Sequence, residues 1–328
     1  MRVIFSKGQF IRRIRRECPP NLVAHQASVQ LLQGCCTQGE TDKGLKSFDA
    51  EYLPIIECAP KAWGFWADIG AGFLSRAPKG TMKDQISPKY YIGCSGWHYE
   101  HWRGPYYPED LPKPKWLRFC AQQFTTVELN NSFYHLPSEK AFANWRESTP
   151  DNFVFAVKVS RFITHIKRLK NLGSAVETFL SRAHLLENKL GPLLYQLPPN
   201  MKRNDEVLES FLSSLPQQYQ HVLEFRHASW IDDSVFQILQ QYNAGLCVFD
   251  MPGFTCPLAA TSDFAYIRFH GSQSLYSSCY SDEELSQWAK KIARLGKGLK
   301  AVYIYFNNDA EAFAVKNAIT LGNLLNSI

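Results

Sequence analysis

The residues best equipped for chemistry lie two apart inside short apolar runs. Glu128 and Asn130 share one parity in TTVELNNSFY (125–134), Glu224 and Arg226 in YQHVLEFRH (219–227), Arg268 and His270 in FAYIRFHG (264–271). Tyr303, Tyr305 and Asn307 repeat the spacing in KAVYIYFNN (300–308), while Lys158, Gln196 and Asp250 stand near the ends of three further runs. In a strand, residues i and i+2 point to the same side. The flanking pairs Val127/Leu129, Leu223/Phe225, Ile267/Phe269 and Ile304/Phe306 are apolar and belong to the opposite side. One polar face and one apolar face therefore recur on four runs, which a single stray polar residue does not explain.

These residue types suit acid/base chemistry on an anion. Burial raises a carboxyl pKa toward the working range, so Glu128 and Glu224 are candidate proton carriers, with Lys158, Asp250 and His270 completing the catalytic set. The forked guanidiniums of Arg226 and Arg268 suit carboxylate or phosphate. Asn307, Asn308 and the His270-Gly271 turn lie on the runs that would finish beside them. Ser95, Trp97, Asn130, Tyr134, His165, Gln196, His227, Trp230 and Tyr305 are the remaining candidate ligand-binding residues. Aromatics at Trp97, Trp102, Tyr106, Tyr107, Phe133, Tyr134 and Trp230 could stack on a base or sugar ring, or simply plug the end of the fold. A competing reading makes each Glu–Arg pair a structural register device. Against it, desolvating three cations and three anions costs several kcal/mol per ion, where Val, Ile or Leu would cost nothing. A divalent metal on Glu128, Glu224, Asp250, His227 and His270 is a weaker alternative. The neighbouring cations would repel it, and no H-E-x-x-H or H-x-H spacing occurs. No metal and no other cofactor is expected.

The elements that must position these groups alternate regularly. Eight β-rich runs (90–97, 125–134, 152–160, 190–197, 219–227, 244–251, 264–271 and 300–308) are separated by segments with helical apolar spacing, such as 203–215 and 282–295. Asp282 is the expected cap of the latter and Asp309 of a last helix over 310–325. Eight strands alternating with helices over about 240 residues predict an α/β fold, a (β/α)₈ TIM barrel, whose active sites are built at the C-terminal strand ends. A doubly wound open sheet is the alternative, but the first run ends Gly93-Cys94-Ser95-Gly96-Trp97, without GxGxxG or a P-loop. The 98–124 segment, with Pro105, Pro108, Pro112 and Pro114, reads as an elaborated first loop and then a short helix from about 114. The stretch MPGFTCPLAATSDF before the seventh run is short and helix-poor, so the sixth helix is expected to be missing or vestigial.

Of 328 residues, 45% are hydrophobic and 20% charged, an ordinary globular balance. No apolar run reaches the roughly 18–20 residues of a membrane span. Residues 1–89 carry 13 Lys/Arg and 8 Asp/Glu, a net of +5, leaving 23 and 22 in the remainder. The basicity thus marks residues 1–89 as an extension rather than giving the body a nucleic-acid footprint. Its Arg-rich start has the composition of a transit peptide, or of a poorly ordered extension or mis-called start. The apolar 52–75 shows no period and receives no element. The nine cysteines are irregularly spaced, without C-x-x-C, which fits reduced thiols in a cytoplasmic compartment.

Together the stretches IGCSGWHYEHWRGPYYPEDLP (92–112), FTTVELNNSFYHLPS (124–138), FVFAVKVSRFITH (153–165), LGPLLYQLPP (190–199), VLEFRHASW (222–230), YIRFHG (266–271) and YIYFNNDAEAFAVKNA (303–318) resemble the YecE-like family. That family is catalogued as a domain of unknown function. The resemblance implies a TIM barrel over 90–328 and supplies no reaction. Such barrels look similar to the endonuclease IV and sugar-isomerase type, an analogy of fold only. The expected function is an enzyme acting on an anionic, phosphate-bearing small molecule such as a sugar phosphate. The alternatives are a non-catalytic nucleic-acid-binding protein and a scaffold whose polar ring is structural.

Overall fold

The computed structural model describes residues 87–254 and 256–328. The expectations for the basic extension and for 52–75 lie outside the described residues. Eight strands follow one another as β1 (Lys89–Cys94), β2 (Thr126–Leu129), β3 (Val154–Lys158), β4 (Leu190–Gln196), β5 (His221–Glu224), β6 (Gly245–Asp250), β7 (Phe264–Phe269) and β8 (Ala301–Phe306). They form one parallel sheet in the order β1-β8-β7-β6-β5-β4-β3-β2. A single bridge, Ser95 to Glu128, joins the two outer strands and nearly closes the barrel. Gly93 makes this seam possible, because a Cβ there would collide with the Thr126 carbonyl oxygen.

The described helices are α1 (Trp116–Gln123), α2 (Asn131–Tyr134), α3 (Glu139–Glu147), α4 (Ala175–Ala183), α5 (Asp205–Ser214), α6 (Asp233–Gln241), α7 (Asp282–Leu295) and α8 (Phe313–Asn326). Several differ in detail from expectation. Ser281, not Asp282, caps α7: its hydroxyl accepts from Glu284 N while the Glu284 carboxylate accepts from Ser281 N. Asp282 then serves the helix as one of three acids in its first turn. Asp309 makes no side-chain cap; a tight turn over Ala310–Ala312 intervenes before α8. Between β6 and β7 the described residues contain no helix, so the sixth one is absent. Thr261 secures that connection, donating to Ala244 O and accepting from Leu246 N.

The polar parity points into the barrel and the apolar parity toward the helices. Val127, Leu129, Leu223, Phe225, Ile267, Phe269, Ile304 and Phe306 are all buried in the strand–helix layer. A separate cluster of Ala156, Leu194, Val222, Cys247, Phe264, Tyr266, Ala301, Tyr303 and Tyr305 fills the interior. Beneath it Tyr91 stacks on Tyr303 at 4.9 Å. The barrel is therefore a packed core, and among the described residues its charged layer lies at the C-terminal strand ends. No helix of the described residues is long and apolar enough to cross a membrane.

Candidate functional site

Arg268, 1% exposed, is the hub of this layer. Its two terminal nitrogens fork between Glu128 Oε1 at 2.9 Å and Glu224 Oε2 at 2.7 Å, both carboxylates being fully buried. Glu128 also accepts from the Ser95 hydroxyl and from Tyr266 OH at 2.6 Å. Glu224 also accepts from Arg226 Nε. Gln196 reaches Arg268 at 3.5 Å, and Asn130 donates to Ser95 Oγ. Two buried polar atoms in the layer, Arg268 Nε and Asn130 Oδ1, have no partner among the described residues.

His270, buried at the end of β7, completes one side. Arg226 donates to its Nε2 at 2.8 Å. Since a guanidinium can only donate, Nε2 is the acceptor and the ring proton sits on Nδ1. Asn307 Nδ2 lies 3.1 Å from Nδ1, and with the ring proton there the Asn307 amide must turn its Oδ1 to the ring to accept it. Burial, reinforced by Arg268 and Arg226, holds the imidazole pKa well below its ordinary value. Burial alone would raise the Glu224 carboxyl. The guanidiniums of Arg226 and Arg268 overcome that and hold it below the usual carboxylate range.

Lys158 stands apart from this network. Its ammonium lies 4.3 Å above the Phe133 ring and forms no ion pair or hydrogen bond among the described residues. Burial, with Arg268 adding to it, lowers the Lys158 pKa to about 8. His165 packs against the same Phe133 ring at 5.0 Å and bonds through Nδ1 to Thr164 Oγ1 at 2.9 Å. Desolvation, followed by the nearby Lys158 charge, lowers its pKa as well.

The structure thus brings together Ser95, Glu128, Asn130, Gln196, Glu224, Arg226, Arg268, His270 and Asn307, with Lys158 and His165 beside them. Other predicted residues lie elsewhere. Asp250 accepts from Tyr280 OH at 2.8 Å, on the face of β6 turned to the helices; burial raises its pKa. Asn308 donates to Ser278 O and Asn317 Oδ1 behind β8. Tyr305 bonds Thr126 within the interior cluster. Trp230 is fully buried, stacked on Phe225 and bonded to Met201 O. Trp97 packs edge-on to Trp145, and His227 caps the turn 228–230 through Ser229 N. Trp102 and Tyr107 are buried, whereas Tyr134 is 63% exposed at the rim. Tyr266 was overlooked from sequence, although it precedes Arg268 by two positions and so shares its face. Among the described residues no group of three or more His, Cys, Asp or Glu is arranged to hold a metal ion.

A parallel eight-stranded barrel with one ionic layer at its C-terminal mouth defines the class of protein. The chain belongs to the family described as "Protein of unknown function DUF72", whose model matches residues 91–327. It is similar to the UPF0759 protein YunF of Bacillus subtilis, 25% identical over 269 residues, covering 72% of this chain and 94% of YunF. It is also similar to the UPF0759 protein YecE of Escherichia coli K12, 34% identical over 122 residues, or 35% of this chain and 45% of YecE. Among solved structures, a DUF72 family protein of Thermotoga maritima superposes with a TM-score of 0.67 at 32% identity, covering 73% of this chain and 99% of that one. A DUF72 family protein of Enterococcus faecalis, with a TM-score of 0.59 at 20% identity, shares the fold.

Proposed function

We propose that the barrel is an enzyme that binds an anionic, phosphate-bearing substrate at its C-terminal mouth and transforms it by acid/base chemistry. The observation that carries this reading is the isolation of Lys158. The two carboxylates of the layer are already neutralised by the two guanidiniums, and the neutral His270 adds no charge. Among the described residues Lys158 is left as a cation with no counter-ion, in a setting that penalises an unpaired charge. An anionic ligand would supply the missing partner, and an amine that titrates near the working pH can carry a proton. Glu224 stays ionised and, with Glu128, holds Arg268 rigid. The free Arg268 Nε suits a ligand oxygen.

A second reading, a nucleic-acid strand crossing the mouth, draws on the segment 159–173. It carries Arg161, Lys167, Arg168 and Lys170 without an acid, next to Phe162 at 42% exposure. One screen separates the two. Inorganic phosphate, sugar phosphates and short single-stranded DNA are added and melting is followed. A ligand at 100 times its Kd adds about 2.7 kcal/mol of stability. The enzyme reading expects phosphates to raise the melting point of the native chain and not of Lys158→Met. If only DNA stabilises, the second reading takes its place; if no anion does, both fail.

A further inference from the structure

We propose that Lys158 is a nucleophile whose Nζ condenses with the carbonyl carbon of an anionic aldehyde or ketone, placing a Schiff base at the end of β3. This rests on the anionic-substrate reading above and names its chemical class. Three observations lead to it.

The first is the amine's setting. Lys158 follows Ala156 on the inward parity of β3, so its side chain rises from the packed interior into the mouth. It meets the face of Phe133 and, among the described residues, no carboxylate within ion-pair distance. An apolar wall and neighbouring cations are the two conditions that free a lysine's lone pair for attack. The titratable and charged groups around it are Arg226, Arg268, Glu128, Glu224 and His165. The second observation is that this freedom has no structural use. The fork of Arg268 already ties β2, β5 and β7 together, and the Lys158 side chain ties no element among the described residues. The third is a proton carrier beside it. His165 lies against the same Phe133 ring, with Nδ1 bonded to Thr164 and Nε2 without a partner among the described residues.

The step balances without an oxidant or reductant. The Nζ lone pair forms the N–C bond while the carbonyl π pair moves to oxygen. His165 relays a proton from nitrogen to that oxygen, giving a carbinolamine. The nitrogen lone pair then forms C=N as the C–O bond breaks, and the second nitrogen proton leaves with the oxygen as water. Protonation of the imine makes it an electron sink for bond breaking at the adjacent carbon.

Borohydride trapping tests this. The full chain is incubated with glyceraldehyde 3-phosphate near neutral pH, reduced, and mapped by peptide mass. The expected adduct on Lys158 adds the mass of the aldehyde less one oxygen. With the amine titrating near 8 instead of about 10.4, labelling at Lys158 should exceed that at exposed Lys297 on the order of 100-fold. Its rate should level off just above pH 8. Unfolding in urea should erase the preference, and inorganic phosphate should slow it. Lys158→Arg, which keeps the charge, should lose the adduct. Labelling of Lys158 no faster than of Lys297, or none at all, overturns the Schiff base. If inorganic phosphate still raises the melting point in that event, the anionic-substrate reading survives; if it does not, both fall together.

Discussion

Arg268 and Lys158 show how differently two cations of one layer can be held, the first buried and the second half-buried. Arg268 satisfies two carboxylates with one planar group, and no other side chain has that geometry. Arg268→Met leaves Glu128 without a cation among the described residues and Glu224 with Arg226 alone, and should cost about 3–5 kcal/mol in urea denaturation. Arg268→Lys should recover little of it, since one ammonium cannot fork between the two. Removing the stranded charge as well, as Glu128→Gln with Arg268→Met, keeps the Glu224–Arg226 pair and should recover much of the loss. If this double variant is less stable than Arg268→Met alone, the buried charges hold the fold and are no cost to it. Lys158 behaves oppositely. Its native pKa of about 8 lies below the ordinary lysine value of 10.5. Between these values the unfolded chain binds the proton and the native chain does not, so stability rises with pH across that window. The gain is at most ~3 kcal/mol. The wild-type unfolding free energy should therefore climb relative to Lys158→Met as pH rises from about 8. Subtracting the variant removes the background from tyrosines. Parallel curves would mean that the amine titrates normally.

At the scale of elements, the seam between β1 and β2 is the delicate joint. One bridge holds it, and a Cβ on Gly93 would strike the Thr126 backbone, which cannot rotate away. Gly93→Ala should destabilise by about 3 kcal/mol or more in thermal unfolding. Gly322 in α8 is the control: a Cβ there meets only Ile92 Cδ1 at 3.8 Å. Gly322→Ala should gain about 0.5–1 kcal/mol from helix propensity. Equal effects at the two sites would contradict the close approach at the seam. The same elements explain what could be read in advance. Period-two alternation exposed the inward faces of β2, β5, β7 and β8, and with them Glu128, Glu224, Arg268 and Asn307. It gave no orientation for β6, where Leu246/Val248 and Cys247/Phe249 are both apolar, so Asp250 had no face assigned. Nor could it tell that Arg268 would be shared between Glu128 and Glu224, because that cross-barrel pairing depends on closure and register. Trp97 and Trp230 drew notice by type and position, but their burial follows from how the first and fifth loops fold back on the mouth. Ser281 displaced Asp282 as a cap because the capping box satisfies two backbone donors at once.

For the molecule as a whole, the relatives suggest how much chain the barrel needs. YunF is covered over 94% of its length by 72% of this chain, and the Thermotoga maritima protein over 99% by 73%. The family model begins at residue 91, yet the contacts begin earlier. Lys89 N donates to Lys300 O, the Lys89 ammonium lies over Tyr91, and Pro88 fills the space beside Gly296. Tyr91 in turn closes the barrel floor against Tyr303. A chain starting at residue 87 should therefore melt at the same temperature as the full chain and bind the same anions. A chain starting at 92 loses the Tyr91 stack and the Lys89 bond and should melt lower. In a domain of this size about 1 kcal/mol corresponds to roughly 2–4 °C. A fall larger than that on removing residues 1–86 alone would show that they contribute to the stability of the barrel, and an unchanged midpoint for the shorter chain would show that residues 87–91 do not.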